Sequence, residues 1–396
     1  MSLSQYSDAF QHLAKKLPEA VRSQREESLL RFIAVGFPTR KLEDWRYTDL
    51  SALAAKPFAL PSPVAPDLSR LALADTEQVV CINGGDGALT ATHDGDSSVV
   101  ALNTAFAREG LNLQVGAGQL TAQPLHVLTW TESDKPVMVH LRHRIRLEAN
   151  AEATVILHHA GRGDYLTTQV TEIELGANAK LTLYRIQDEG AGSTHLAQTD
   201  AQLARDSVLT AVNIDLGFGL ARQDFNVNLN DAGAQVNLHG LYAPTGRAHV
   251  DNHTRIHHRA PHCSSREFFR GVVGGSARAV FNGKVYVHEH AIKTDSETRV
   301  ANLLLSKTAE VYAKPELEIY NDDVKCAHGA TFGQLDADAI YYLRARGLNA
   351  DVARALLTQA FAQEIIDRIG HVGLRQLVTR RFLERLPQGA MLDGLP

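Results

Sequence analysis

Cysteine is scarce in this chain, and the three that occur, Cys81, Cys263 and Cys326, stand far apart and are odd in number. A secreted disulfide scaffold carries more of them at closer spacing. A reducing cytoplasmic setting is therefore expected, in which a functional cysteine works as a thiolate or metal ligand. Long hydrophobic runs are missing too. No window approaches the ~18 uninterrupted apolar residues of a membrane-spanning helix, and Met1-Ser2-Leu3-Ser4-Gln5 has no cationic stretch leading into an apolar one, so no secretory signal is expected. Lys and Arg form no long run and the net charge is −5, which sets nucleic-acid binding aside. The motifs of common enzymes are also absent: no phosphate-binding lysine loop, no zinc helix with paired histidines, no serine elbow. Gly84-Gly85-Asp86-Gly87 and Asp94-Gly95-Asp96 lack the spacing and closing glutamate of a calcium loop and read as turns.

What is present is enough apolar material, 44% of 396 residues, for a substantial core. Residues 1–55 read as a helical region. Leu29, Leu30 and Ile33 recur at helical spacing, Gly36 and Pro38 give a stop, and Thr39 is placed to cap a short helix through Leu42 and Trp45. Residues 56–120 form a linker and mixed segment that opens with Pro57, Pro61, Pro63 and Pro66. From 121 to 333 short apolar runs alternate with Gly and Asn, the signature of a long β region. Residues 334–396 return to helical periodicity. Asp336 and Asn349 are placed as caps, Gly347 and Gly370 as stops, and the arginines 375, 380, 381 and 385 fall on what reads as a solvated face.

The β region repeats itself. An apolar residue, a small residue four places on, and apolar residues two and four places further appear at Leu147, Ala151, Ala153 and Val155. They return at Leu175, Ala179, Leu181 and Leu183, then at Leu203, Ser207, Leu209 and Ala211, and imperfectly at Asn230, Ala234, Val236 and Leu238. The small positions are 28, 28 and 27 residues apart, with looser copies around Ala277 and Ala309. A steady period of this size argues for a solenoid whose coils bury their apolar faces only by stacking. Small residues at the turns and short strands favour a β-helix over a leucine-rich horseshoe. A β-sandwich also repeats its strand signals, but every ~8–12 residues.

Three groups of residues are candidates for metal chemistry. His288 and His290 flank Glu289 in a strand-like run, so both imidazoles are expected on one face. His253, His257 and His258 lie close in sequence to His262 and Cys263. Stacked histidines need no metal in a β-helix, so both groups also read as structure. The third is Cys326-Ala327-His328. In a strand Cys326 and His328 share a face and give a soft thiolate beside an imidazole, two ligands where a closed site needs three or four. A buried core cysteine is the plainer alternative.

Here the sequence resembles a known family. The run from Ala313 to Thr331 (Ala313-Lys314-Pro315-Glu316-Leu317-Glu318-Ile319-Tyr320-Asn321-Asp322-Asp323-Val324-Lys325-Cys326-Ala327-His328-Gly329-Ala330-Thr331) looks like the C-terminal signature of the SufD family. Pro38-Thr39-Arg40-Lys41-Leu42-Glu43-Asp44-Trp45-Arg46-Tyr47-Thr48 and the stretch from Asp295 to Lys307 are similar to other parts of it. The resemblance implies a mainly β fold, a right-handed parallel β-helix core flanked by N- and C-terminal helical regions. It also implies a non-catalytic subunit of an iron–sulfur cluster assembly scaffold complex, paired with a SufB-like paralogue and a SufC-like ABC ATPase. The ATPase would dock on the C-terminal helical domain, around Tyr341, Arg344 and Arg346. The two β-helices would pair through their last strands, with Cys326 and His328 facing iron and sulfide of a nascent cluster shared with the partner. No nucleotide is expected on this chain, and a homodimer is possible in isolation. The sister subunit SufB carries Glu where this chain has Gly329, and a cysteine in the strand around Thr308-Ala309-Glu310. Both departures favour SufD and leave the partner to supply the missing cysteine and carboxylate. Two other readings stay open: a brace subunit with Cys326 and His328 inert, and a stand-alone β-helix enzyme acting on polysaccharide, for which paired carboxylates along a groove are lacking.

Overall fold

The structure is a computed structural model that describes residues 4–15, 17–85, 97–387 and 389–392. Asp86, Gly87 and Asp94 to Asp96 of the glycine-rich turns lie outside the described residues. Three helices come first, α1 (Ser4–Ala14), α2 (Glu19–Val35) and α3 (Ser51–Ala54), followed by β1 (Glu77–Ile82), α4 (Ser98–Phe106) and β2 (Arg108–Val115). Two long strands, β3 (Leu125–Leu147) and β4 (Glu152–Leu175), each run along two walls. From there one strand serves each wall in turn. One wall takes β5 (Lys180–Glu189), β7 (Val208–Asp215), β9 (Gln235–Tyr242), β11 (Ser264–Val273), β13 (Asp295–Leu304) and β15 (Lys325–Gly333). The other takes β6 (Ser193–Leu203), β8 (Leu220–Leu229), β10 (His249–His258), β12 (Arg278–Val287) and β14 (Glu310–Ile319).

Every pairing is parallel, and the order β14-β12-β10-β8-β6-β4-β5-β7-β9-β11-β13-β15 places odd-numbered strands on one side of β4 and even-numbered ones on the other. This is the parallel β-helix that the repeat predicts. Alternate side chains enter the solenoid, where Val155, Leu183, Leu209, Leu238, Val285 and Val300 belong to one continuous apolar core.

The small residue of the repeat marks a corner. Asn150, Asn178, Asp206, Gly233, His262 and Lys293 all hold a left-handed backbone, with φ between 55° and 76°. The N–H of each donates to a carbonyl of the next coil, from Asn150 to Ala177 at 2.8 Å through to Lys293 to Asp323 at 2.7 Å. The residue that follows each turns into the corner, where only a small side chain fits: Ala151, Ala179, Ser207, Ala234, Cys263 and Thr294 are all buried. Cys263 and Thr294 therefore continue the series. Ala277 and Ala309, which the sequence offers as looser copies, belong to a second corner that also holds Ala248. Small polar side chains suit the corner because they bond its carbonyls, as Ser207 Oγ does to Ala204 O at 2.7 Å.

Three helices close the chain, α5 (Ala337–Ala345), α6 (Ala350–Ile366) and α7 (Val372–Leu383). Asp336 and Asn349 cap α5 and α6 as their positions predict, each accepting backbone N–H groups. The arginines of the last segment divide. Arg380 is exposed. Arg385, however, keeps only 4% of its side chain exposed and donates to Asp188 at 2.6 Å, and the half-buried Arg381 reaches the same carboxylate at 2.9 Å, so these two pin the end of α7 to the β-helix. At the other end, Thr39 caps nothing; the turn at Glu43–Trp45 is a short 3-10 segment entered through Leu42 without a side-chain cap.

Candidate functional site

The solenoid ends in a coil to whose outer edge no further strand pairs among the described residues. β14 and β15 are the terminal strands of the order, each bonded on one side only. Val311, Ala313, Leu317, Val324, Cys326 and Ala330 of this coil pack onto the core, yet none is fully buried. Apolar and aromatic groups stand in solvent beside them, among them Ile319, Tyr320 and Phe332, the last 51% exposed. Along this half-paired edge, backbone N–H and C=O groups and core side chains both lack a neighbour on one side among the described residues.

Cys326 and His328 lie in β15, two residues apart, so both share the inward parity. Cys326 is half-buried and His328 exposed. Their Cα partners on the preceding coil are Ser296 and Thr298. Burial pushes the Cys326 thiol above the ordinary range; the Asp295 carboxylate adds to this, and the Ser296 backbone N–H works against it. Behind Cys326 runs a polar ladder in which Ser265 Oγ donates to Ser296 Oγ at 2.8 Å and His258 Nε2 lies 2.9 Å from Ser265 Oγ. Behind His328 runs another, in which Thr298 Oγ1 donates to Glu267 Oε2 at 2.8 Å.

The other histidines have separate surroundings. His288 and His290 do not sit on one strand face: β12 stops at Val287, and both follow it in the turn. His288 Nε2 is 3.3 Å from His257 Nδ1. His253 pairs with Asp251 at 2.9 Å. His262 is a corner residue, and Cys263 fills the corner with Sγ 3.3 Å from Asp231 O. Among the described residues, no three His, Cys, Asp or Glu side chains gather so as to hold a metal ion. Cys326 and His328 thus remain two donors on an open face.

One segment far away in sequence reaches this face. Residues 43–48 cross the outer wall of β8, β10, β12 and β14. Trp45 stacks on the buried Arg222 guanidinium at 3.9 Å, Thr48 Oγ1 donates to Asp251 Oδ2 at 2.5 Å, and Glu43 pairs with Lys314 of β14 at 2.9 Å. Arg222 also donates to Asp251, Asp224 and the Asp44 carbonyl. Burial alone would raise the Asp251 carboxyl, but Arg222 and His253 outweigh it and hold it below the carboxylate range. This knot escapes a motif search because its members come from four elements. Glu267 left a trace in the sequence, a charged residue on the rung after Leu238 where the repeat is apolar.

Tyr341, Arg344 and Arg346 lie on α5 and its C-terminal cap, away from Cys326 and His328 in sequence and on a separate element. No residue of α5 is buried. Tyr341 is 73% exposed and Tyr342 54%, with the Arg346 guanidinium 4.3 Å from the Tyr342 ring centre.

The described residues thus form a parallel β-helix with an open terminal coil, a Cys-x-His strand and helical regions at both ends. The family described as "SUF system FeS cluster assembly, SufBD core domain" matches residues 129–361, and the "SufBD protein N-terminal region" matches residues 2–64. The chain belongs to the SufBD family. It is 34% identical to the iron–sulfur cluster assembly protein SufD of Escherichia coli over 93% of both chains. It is 32% identical to an iron–sulfur cluster assembly SufBD family protein of Synechocystis over 87% of this chain and 88% of that one. A SufBD family protein of Mycobacterium leprae is 28% identical over 86% of this chain and 88% of its own.

Proposed function

We propose that this chain is a non-catalytic, cytoplasmic subunit of an iron–sulfur assembly scaffold, and that its last coil pairs with that of a SufB-like paralogue. The exposed edge of β15, with Cys326 and His328 on it, carries the reading. Pairing there would join a thiolate and an imidazole to ligands of the partner, completing the count that this chain lacks. Iron and sulfide are cargo in this scheme. The domain plan follows: an N-terminal helical region (1–55), a mixed segment (56–120), the β-helix (121–333) and a C-terminal helical domain (334–396) that docks a SufC-like ABC ATPase. Tyr341, Arg344 and Arg346 are the docking residues, supported by a helix that buries none of its side chains in this chain. ATP binding opens the pair only if the nucleotide-bound ATPase prefers the open form.

The test is anaerobic co-purification with both partners, followed by iron and acid-labile sulfide analysis of wild type, Cys326→Ser and His328→Ala. Loss of iron and sulfide with the complex intact supports the reading. Unchanged cluster content makes the chain a brace, and failure to bind either partner removes the assignment. Tyr341→Ala and Arg344→Ala are expected to weaken ATPase retention alone.

A further inference from the structure

One inward column of the solenoid changes character as it nears the open coil. Its rungs run Leu183, Ala211, Leu238, Glu267, Thr298 and His328 in successive Cα partnership. The first three are apolar and buried, as the repeat requires. Glu267 takes the next position with 2% of its surface exposed. Its Oε2 accepts from Thr298, and the Thr254 hydroxyl also faces the carboxyl. Leu238 one rung earlier demonstrates that leucine fits this column, so the core does not need an acid here. Burying a carboxyl costs stability through its desolvation, which its hydroxyl partners only partly offset. Such a residue is retained for what it does to its neighbours.

What it does follows from counting protons. A threonine hydroxyl has one hydrogen and lone pairs to spare. Thr298 gives its hydrogen to Glu267, so toward the next rung, about 4.8 Å away, it offers only lone pairs. Burial raises the proton affinity of Glu267, but the carbonyl oxygen of a neutral acid accepts this bond as a carboxylate does. A ring nitrogen of His328 that turns to Thr298 must therefore carry hydrogen. The other nitrogen is left bare at the mouth of the coil, the state in which imidazole binds a metal.

We infer that Glu267, acting through Thr298, is a positioning residue that fixes which nitrogen of His328 keeps its proton and directs the bare one out of the coil. The inference rests on the proposed role of His328 for its use, but its test does not. Isotope-labelled histidine in the full chain, at mildly alkaline pH, reports the tautomer of His328 by nitrogen NMR, with the signal assigned through His328→Ala. Wild type should populate one tautomer. Glu267→Leu and Thr298→Val should each shift it toward a mixture, with melting and circular dichroism unchanged. If Glu267→Leu perturbs the fold, Thr298→Val decides alone. Zinc binding by the co-purified complex should weaken about 10-fold or more in both variants, the usual effect of removing such a support. An unchanged tautomer overturns the inference even if His328→Ala abolishes cluster loading. A shifted tautomer with normal cluster content in His328→Ala upholds the positioning and overturns the ligand role.

Discussion

Tyr47 lies flat on Tyr312, with ring centres 4.3 Å apart and planes within 18°. A residue near the start of the chain thus covers the outer face of β14, an edge strand that is otherwise held on one side only. Thr48, its neighbour, is fully buried against Asp251 and His249. The N-terminal strap and the edge strand are one mechanical unit.

Tyr47→Ala should therefore loosen β14 selectively. A stacked aromatic pair contributes about 1 kcal/mol, so global melting should move little while amide exchange in β14 accelerates. Thr48→Val removes the hydrogen from a buried carboxylate and should cost more, about 1–3 kcal/mol. Equal exchange rates in β14 for wild type and Tyr47→Ala would detach the strap from the edge.

Stability should fall early on acidification. His126, His143 and His158 are completely buried, and burial first of all holds them at about 4, 4 and 3. In the unfolded chain each titrates near 6.5. Between these values the unfolded state binds more protons, so this stabilisation is full above about pH 6.5 and is lost as pH falls toward 4 for His126 and His143 and toward 3 for His158. His126 and His143 each contribute on the order of 3 kcal/mol, and His158 on the order of 5 kcal/mol. Urea midpoints should drop across that window, and a flat profile down to pH 4 would contradict the buried neutral rings.

Arg385→Ala should undock the C-terminal helices. It leaves Asp188 buried beside Arg381 alone and strips the bond to the Leu216 carbonyl. Removing one partner of a buried pair costs about 3–5 kcal/mol. Proteolysis should then cut between the β-helix and α7. A variant as resistant as wild type would place the helix's anchor elsewhere.

At the corners, Asn178→Val forces a β-branched residue into a left-handed backbone at φ 58°. The expected loss is about 1–2 kcal/mol, whereas Asn178→Gly should be close to neutral. Denaturant unfolding of both variants checks the contrast, which an equal loss would erase.

The solenoid was legible because its corners impose a size limit, and size leaves a periodic mark at Ala151, Ala179, Ser207 and Ala234. The mark fades at Cys263 and Thr294, where the same limit is met by small polar side chains. It reappears misleadingly at Ala277 and Ala309, which obey the other corner. Cys326 and His328 stood out by chemistry as two donors on one strand face, and only the resemblance to the SufD family led to the expectation that they face a cluster. Arg381 and Arg385 read as solvated because charge on a helix usually is; only Asp188, nearly two hundred positions earlier, draws them against the β-helix. The Arg222 knot was invisible for the same reason, since a buried charge is recognisable only with its counter-charges in place.

The two ends of the core differ in how well they are shielded. At the start, Leu111, Val115 and Cys81 are buried; at the finish, Val311, Ala313, Leu317 and Ala330 are only partly so. Each coil of a solenoid is held chiefly by its neighbours, so a coil with one neighbour opens more readily than a coil with two. Unravelling of this solenoid therefore begins at its last coil, and the middle of the column is the last part to let go.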